Sequence, residues 1–187
     1  MSSCNCSVVE APPDRLLERY LHLFLEADLP GPIIDLACGD CHNGIFLDRY
    51  NLPVWCCDLS AEALKQAALL AESKGAAVRT WQIDLEVEGA DPLPEDFFGG
   101  ILVFRYLHRP LMANIRTALK GGGILIYETY TRAQERFGKP SNPDHLLEAG
   151  ELYGFFQDWH IFHYFEGMED DPPRAIAQLV CRKPIAC

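Results

Sequence analysis

The sequence predicts an α/β protein, a three-layer sandwich on a seven-stranded, mostly parallel sheet with a C-terminal antiparallel strand pair. Three observations carry this. Short apolar runs of strand length alternate with segments of helical period along most of the 187 residues, and such alternation implies parallel strands joined by helical crossovers. Near the end, "DWHIFHYFEG" and "RAIAQLVCRKP" are separated only by "MEDDPP", too few residues for a crossover, so these runs pair antiparallel at one sheet edge. Hydrophobic residues make up 49% and charged residues 23%, the balance of a soluble globular domain, and the length suits one domain.

Taken in order, "DRLLERYLHLFLEAD" places Leu16, Leu17, Tyr20, Leu23, Phe24 and Ala27 on one face of an amphipathic helix, which stops at Leu29-Pro30-Gly31-Pro32. "PIIDLAC" is too short for a typical helix and reads as a buried strand. "NGIFLDRY" makes a helix after a turn at Gly39, and "PVWCCDLS" is a second apolar strand closed by Asp58. Ser60 suits the N-cap of "AEALKQAALLAESKG", and Gly75 its C-terminal stop. A third strand follows at "AAVRTWQID", then a turn region rich in Pro and Asp from Glu86 to Asp96. "GGILVFRYL" is the fourth strand, "RPLMANIRTALK" a helix with Pro110 in its first turn, and "GGILIYET" the fifth strand. Residues 129–148 form a loop-rich insertion of the length that often serves as a lid. Residues 1–12 are expected to be a flexible tail, and 13–187 a single domain.

A net charge of −11 repels nucleic acid and leaves a small molecule as the better partner. No run approaches the roughly 18 apolar residues of a membrane span, and the first residues lack the basic and apolar regions of a secretory signal. A cytoplasmic location is therefore expected, in which the eight cysteines would mostly be free thiols. Cys56 and Cys57 then read as buried strand residues. The oligomeric state is not legible.

Cys38-Gly39-Asp40-Cys41-His42 matches C-x-x-C-H, the attachment pattern of c-type haem, and contains the C-x-x-C of dithiol and zinc sites. Covalent haem calls for an oxidising compartment, which the missing signal opposes. Zinc calls for four ligands, whereas Cys38, Cys41 and His42 offer three, with Cys4 and Cys6 as completers and no second well-spaced pair. A dithiol motif is well placed between a strand and a helix. A nucleotide-binding turn uses more of these residues. Ala37 and Gly39 let the backbone bend sharply and a ligand come close, G-x-G-x-x-G fails because His42 occupies the third glycine's register, and Asp35 faces a cationic ligand better than a pyrophosphate.

"IIDLACGDCHNGIFL" resembles the first motif, D-x-G-x-G-x-G, of class I S-adenosylmethionine-dependent methyltransferases, in the variant D-L-A-C-G-x-G. "VWCCDLSAEALKQA" is similar to the family's second-strand motif, "WQIDLE" to its third-strand acid and "LKGGGILIYE" to its L-K-P-G-G-x-L segment. The resemblance spans about residues 13–182 and extends to small tellurite-resistance-like members. Ala37 and Cys41 replace the first and third glycines, Gly121 replaces the proline, and "FRYL" stands where N-P-P-Y would mark amino methylation of nucleobases.

The resemblance implies S-adenosylmethionine as cofactor and no metal. Asp35 and Gly39 would border its methionine part, Asp58 would accept from the ribose hydroxyls, and Asp84 from the adenine amino group, with Leu59 and Leu85 on the ring faces and Leu36, Ala37, Cys38 and Phe104 also binding the cofactor. On the substrate side Arg105, Tyr106, His108 and Arg109 follow the fourth strand, and Glu128, Tyr130, Arg132 and Arg136 the fifth. Arginines clustered in an acidic chain suit an anionic small molecule, and Tyr106 or His108 could assist deprotonation. On the residues alone, Tyr106 as a core residue and Arg109 as a solvated one are equally open. So are a nucleoside-binding but catalytically silent sensor or partner subunit, and a zinc or thiol protein built on Cys38 and Cys41.

Overall fold

The computed structural model describes residues 11–26 and 28–185. Residues 1–10 of the expected tail, with Cys4 and Cys6, lie outside them. Seven strands form one sheet: β1 (Ile33–Leu36), β2 (Val54–Asp58), β3 (Arg79–Gln82), β4 (Phe98–Phe104), β5 (Leu119–Tyr130), β6 (His160–Asp170) and β7 (Pro173–Arg182). Their order is β3-β2-β1-β4-β5-β7-β6. The first five are parallel, while β7 runs antiparallel to both β5 and β6. The helices are α1 (Arg15–Tyr20), α2 (His22–Glu26), α3 (His42–Asp48), α4 (Ala61–Lys74), α5 (Leu111–Ala118) and α6 (Glu151–Phe156).

Every residue of β1 and β4 is buried, which is why both read as continuous apolar runs rather than alternating ones. Leu17, Phe24, Leu47 and Leu64 from α1 to α4 pack on one face of the sheet. Ile115, Leu152 and Phe156 from α5 and α6 pack on the other, giving the expected three layers. The two glycines of the β4 run have a steric cause: a β-carbon on Gly99 would overlap the Gly31 backbone. The caps of α4 also stand as expected, with the Ser60 hydroxyl accepting from the Ala63 N–H at 3.1 Å and Gly75 at φ 67°.

The single first helix is a correction. It is two short helices, because at Leu21 the backbone tightens into i→i−3 hydrogen bonds, from the Leu21 N–H to the Glu18 carbonyl and from the Phe24 N–H to the Leu21 carbonyl. The 129–148 insertion is more ordered than its composition suggests. It holds two short 3₁₀ turns, Arg132–Arg136 and Pro143–His145, and leads into α6, which the sequence reading missed because six residues containing Gly154 carry little helical period. Arg109 fastens this region, donating to Glu151 at 2.6 and 2.9 Å, to the Asp144 carbonyl at 3.0 Å and to the Leu146 carbonyl at 2.8 Å.

The C-terminal pair is the antiparallel edge foreseen, with both strands running into "MEDDPP". At the opposite edge, the Arg79 guanidinium lies 3.9 Å over the Trp55 ring. No described helix is long and apolar enough to cross a membrane. Strand order reverses between β1 and β4, so their carboxyl ends open a crevice, the usual ligand position in such sheets.

Candidate active site

Two adjoining cavities occupy this crevice and share Ala37. The larger, about 420 Å³, is lined by Asp35, Cys38 and Gly39 at the end of β1, Asp40, His42 and Asn43 leading into α3, and Phe104 and Arg105 at the end of β4. The second, about 340 Å³, is lined by Asp58, Leu59, Ile83, Asp84, Leu85, Glu86 and Tyr106. Backbone strain collects here: Ala37 (φ 51°), Cys41 (φ 60°) and Arg105 (φ 57°) adopt the left-handed region without being glycine, a pattern that marks functional sites. Gly39 does so at φ 57° with no atom where a β-carbon would stand, leaving the turn open to a ligand.

Asp35 is 2% exposed, and its Oδ2 has no hydrogen-bond partner among the described residues. Burial, only partly offset by the positive charges of His42 and Arg105, pushes its pKa up to about 7. A buried carboxylate oxygen in this state fits a cationic ligand group. Asp58 is held rigidly by two backbone N–H groups, Gly39 on Oδ2 at 3.0 Å and Ser60 on Oδ1 at 2.8 Å. Asp84 caps its own loop by accepting from the Glu86 N–H at 2.9 Å. Leu59 is 63% exposed beside it, whereas Leu85 is buried. These residues fit the two-part cofactor that the sequence implies.

Residues that the sequence reading passed over surround the larger cavity. His42, given no role in cofactor or substrate binding by the sequence, meets Asp40 at 2.6 Å and Asp14 at 3.2 Å. Burial alone would favour the neutral ring, but hydrogen bonds to Asp14 and Asp40 and their charges push its pKa up to about 9. Asp14 also accepts from Asn43 at 2.9 Å and from both terminal nitrogens of Arg105. These donors overcome its burial and hold its carboxyl below the usual range. No local pattern signalled Asp14, since its partners are distant in sequence.

The substrate-side residues divide. Arg105 faces the larger cavity. Tyr106 lies in the second, donating to Glu86 at 3.2 Å, and burial followed by the Glu86 charge keeps its hydroxyl protonated, so it acts as a donor and not as a base. His108 and Arg109 line a further cavity of about 380 Å³ with Asn142 and His145 of the 129–148 insertion. Leu36 is a correction, because its side chain is in the core and only its backbone borders the turn. Glu128 is another: it is 2% exposed and spent on Arg174 at 2.9 Å and Gln178 at 2.7 Å. Arg132 pairs with Glu148 at 2.7 Å inside the insertion, and neither it nor Tyr130 lines the crevice cavities. The free-thiol expectation also fails at one pair, because Cys41 and Cys56 are disulfide-bonded. The left-handed turn at Cys41 points its sulfur at β2. Cys38, Cys57 and Cys181 are free and buried.

Residues 33–123 match the family model of the methyltransferase domain. No curated protein sequence matches the chain. Among solved structures, TehB from Haemophilus influenzae superposes with a TM-score of 0.68 at 18% identity, over 90% of this chain and 65% of TehB, so the chain spans less than two thirds of that protein. A SAM-dependent methyltransferase from Methanosarcina mazei gives 0.69 at 13% identity, over 94% of this chain and all of its own. The [4+2]-cyclase SpnF gives 0.67 at 15% identity, over 90% and 81%. Residues 33–123 thus match the methyltransferase-domain model, and the chain as a whole shares the Rossmann-like fold of these solved structures.

Proposed function

We propose that the chain transfers a methyl group from S-adenosylmethionine to a small anionic molecule. The observation that carries this is the Oδ2 of Asp35, unpartnered among the described residues, on a side chain that lines a cavity adjoining one bounded by Asp58 and Asp84. An ammonium group suits Asp35, and ribose hydroxyls and an adenine amino group suit the two strand-end acids. When bound, the cofactor supplies a methyl group already activated on a sulfonium.

The protein's share is then placement and exclusion of water. Asp58, immobilised by Gly39 and Ser60, orients the ribose, and Leu59 and Leu85 offer apolar contact to the ring. The acceptor side is supported by a cavity of about 290 Å³ that shares His42 and Arg105 with the larger one. Its charged lining is Arg15, Arg105, Arg174 and His42 against Asp14 and Asp171; Arg105 and His42 also pair with Asp14, and Arg174 with Glu128 and Glu169, so an acceptor there would share cations that already have carboxylate partners. The acceptor that such cations suit is anionic.

Calorimetric titration with S-adenosylmethionine, using Asp58→Ala as control, tests the cofactor half; no binding at millimolar cofactor refutes it. Methyl uptake from labelled cofactor into metabolite pools tests the acceptor half, with label expected in small anions. Label confined to macromolecules would overturn it. A second reading, a nucleoside binder that transfers no methyl group, draws support from the same fold in a protein named as a [4+2]-cyclase. It predicts tight cofactor binding with no labelled product in any pool.

A further inference from the structure

The C-x-x-C of the first turn is left over once the cofactor crevice is accounted for. Its sulfurs belong to a larger group: the Sγ atoms of Cys38, Cys41 and Cys56 all lie within 4.8 Å of one another. Cys41 and Cys56 are bonded to each other and fully enclosed. Gly44 makes room for them, since a β-carbon there would lie 2.5 Å from Cys56 Sγ and 2.6 Å from Cys41 Sγ. Cys38 is a free thiol, 7% exposed, and it lines the larger cavity. A thiol therefore stands between an accessible cavity and a disulfide that nothing outside can touch directly. With two of the three sulfurs joined, the group as it stands suits exchange rather than metal binding.

We propose that Cys38, Cys41 and Cys56 form a thiol–disulfide exchange site for low-molecular-weight thiols, entered through the cofactor cavity. Cys38, as thiolate, attacks Cys41 Sγ; the Cys38–Cys41 bond forms, the Cys41–Cys56 bond breaks, and Cys56 leaves as a thiolate that takes up the proton Cys38 gave up. An external thiolate then attacks Cys38 Sγ in the cavity, expelling Cys41, which is protonated. A second external thiol attacks the outer sulfur of that mixed disulfide and releases the Cys38 thiol. Two external thiols are oxidised to one disulfide while one protein disulfide becomes two thiols. Burial, followed by the nearby Asp35 carboxylate, holds Cys38 protonated, so the exchange is slow near neutrality and accelerates about tenfold per pH unit. Because Cys38 borders the methionine end of the crevice, an assignment that rests on the proposed function, a thiol adduct there and the cofactor exclude one another.

The test uses the full chain with reduced glutathione as probe at pH 8.5, quenched with an alkylating agent and mapped by peptide mass spectrometry. The wild type is expected to lose the Cys41–Cys56 link at least tenfold faster than Cys38→Ser, with both shown folded by circular dichroism. Cys56→Ser is expected to yield a Cys38–Cys41 link under mild oxidation. Equal rates in wild type and Cys38→Ser would mean that reduction proceeds by unfolding, and would overturn the relay; so would finding all three cysteines alkylated without reductant. Saturating S-adenosylmethionine should slow the wild-type reaction. A relay that persists without such protection would instead refute the cofactor's placement, leaving the exchange site intact.

Discussion

Asp14 and Arg105, 91 residues apart, are joined as a two-point ion pair, Nη1 donating to Oδ1 at 2.8 Å and Nη2 to Oδ2 at 3.2 Å. His42 and Asn43 reach the same carboxylate, so the segment before α1 is fastened across the crevice mouth. Asp14→Ala leaves Arg105 and His42 without their shared counter-charge. Since Arg105 is 40% exposed, the loss should be modest, about 1 to 2 kcal/mol by urea denaturation, together with faster amide exchange in α1.

His42 makes part of that stability depend on pH. Its pKa is raised in the folded protein, to about 9 from 6.5, so its contribution is complete below about pH 6.5 and is lost as pH rises through about 9. Denaturation midpoints measured from pH 6 to 9.5 should fall across this window in the wild type. In His42→Gln the fall should be markedly smaller.

Asp35 behaves in the opposite sense to a paired carboxylate. With its pKa raised to about 7 from 3.8, the folded state loses stability between those values as pH rises, because charge appears on a buried group. Asp35→Asn should melt higher than the wild type at pH 8 and close to it at pH 4. The same substitution should weaken cofactor binding at pH 8 and remove the tightening with pH expected of the wild type between pH 5.5 and 7. Calorimetry at stepped pH checks both.

Cys41→Gly separates two opposing effects. Glycine relieves the left-handed strain at this position by about 1 kcal/mol, but the variant loses a disulfide closing 15 residues, a constraint of about 3 kcal/mol. Without reductant the variant should be less stable by about 2 kcal/mol. With a dithiol reductant present, the two proteins should unfold within about 1 kcal/mol of each other.

Arg109→Ala removes four hydrogen bonds that run to Glu151, Asp144 and Leu146. Limited proteolysis should then cut within residues 137–145 several-fold faster than in the wild type, while the far-ultraviolet circular dichroism stays nearly unchanged. An unchanged cutting rate would show that the insertion is held by its apolar contacts at Leu146 and Leu147.

What was legible beforehand was what is local. Ser60 and Gly75 cap α4 through neighbours three and four residues away, Asp58 ends a strand whose apolar run announces it, and Asp84 follows the end of β3 by two residues. Asp14 was not legible, because its meaning lies in partners 28 to 91 residues distant. The arginines following β4 and β5 looked like one anion-binding cluster, yet Arg109 and Arg132 are committed to carboxylates that only the folded chain brings near. The Cys41–Cys56 bond was hidden for the same reason: spacing drew the eye to Cys38 and Cys41, while sheet geometry set Cys56 opposite the turn. The break at Leu21 was missed because its two halves keep one apolar face.

The sheet ends in two unlike borders. β3 offers four residues with Arg79 capping Trp55, and β6 offers 11 but is bent where Phe162 has no partner in register, between Ile161 and His163. Glu166, Glu169 and Asp170 add negative charge along that longer border. Shortness on one side, and kink plus charge on the other, are obstacles to strand-by-strand stacking of copies. The molecule is thereby guarded against fibrous self-association at high concentration, and removing Phe162 should expose that hazard as salt-dependent light scattering.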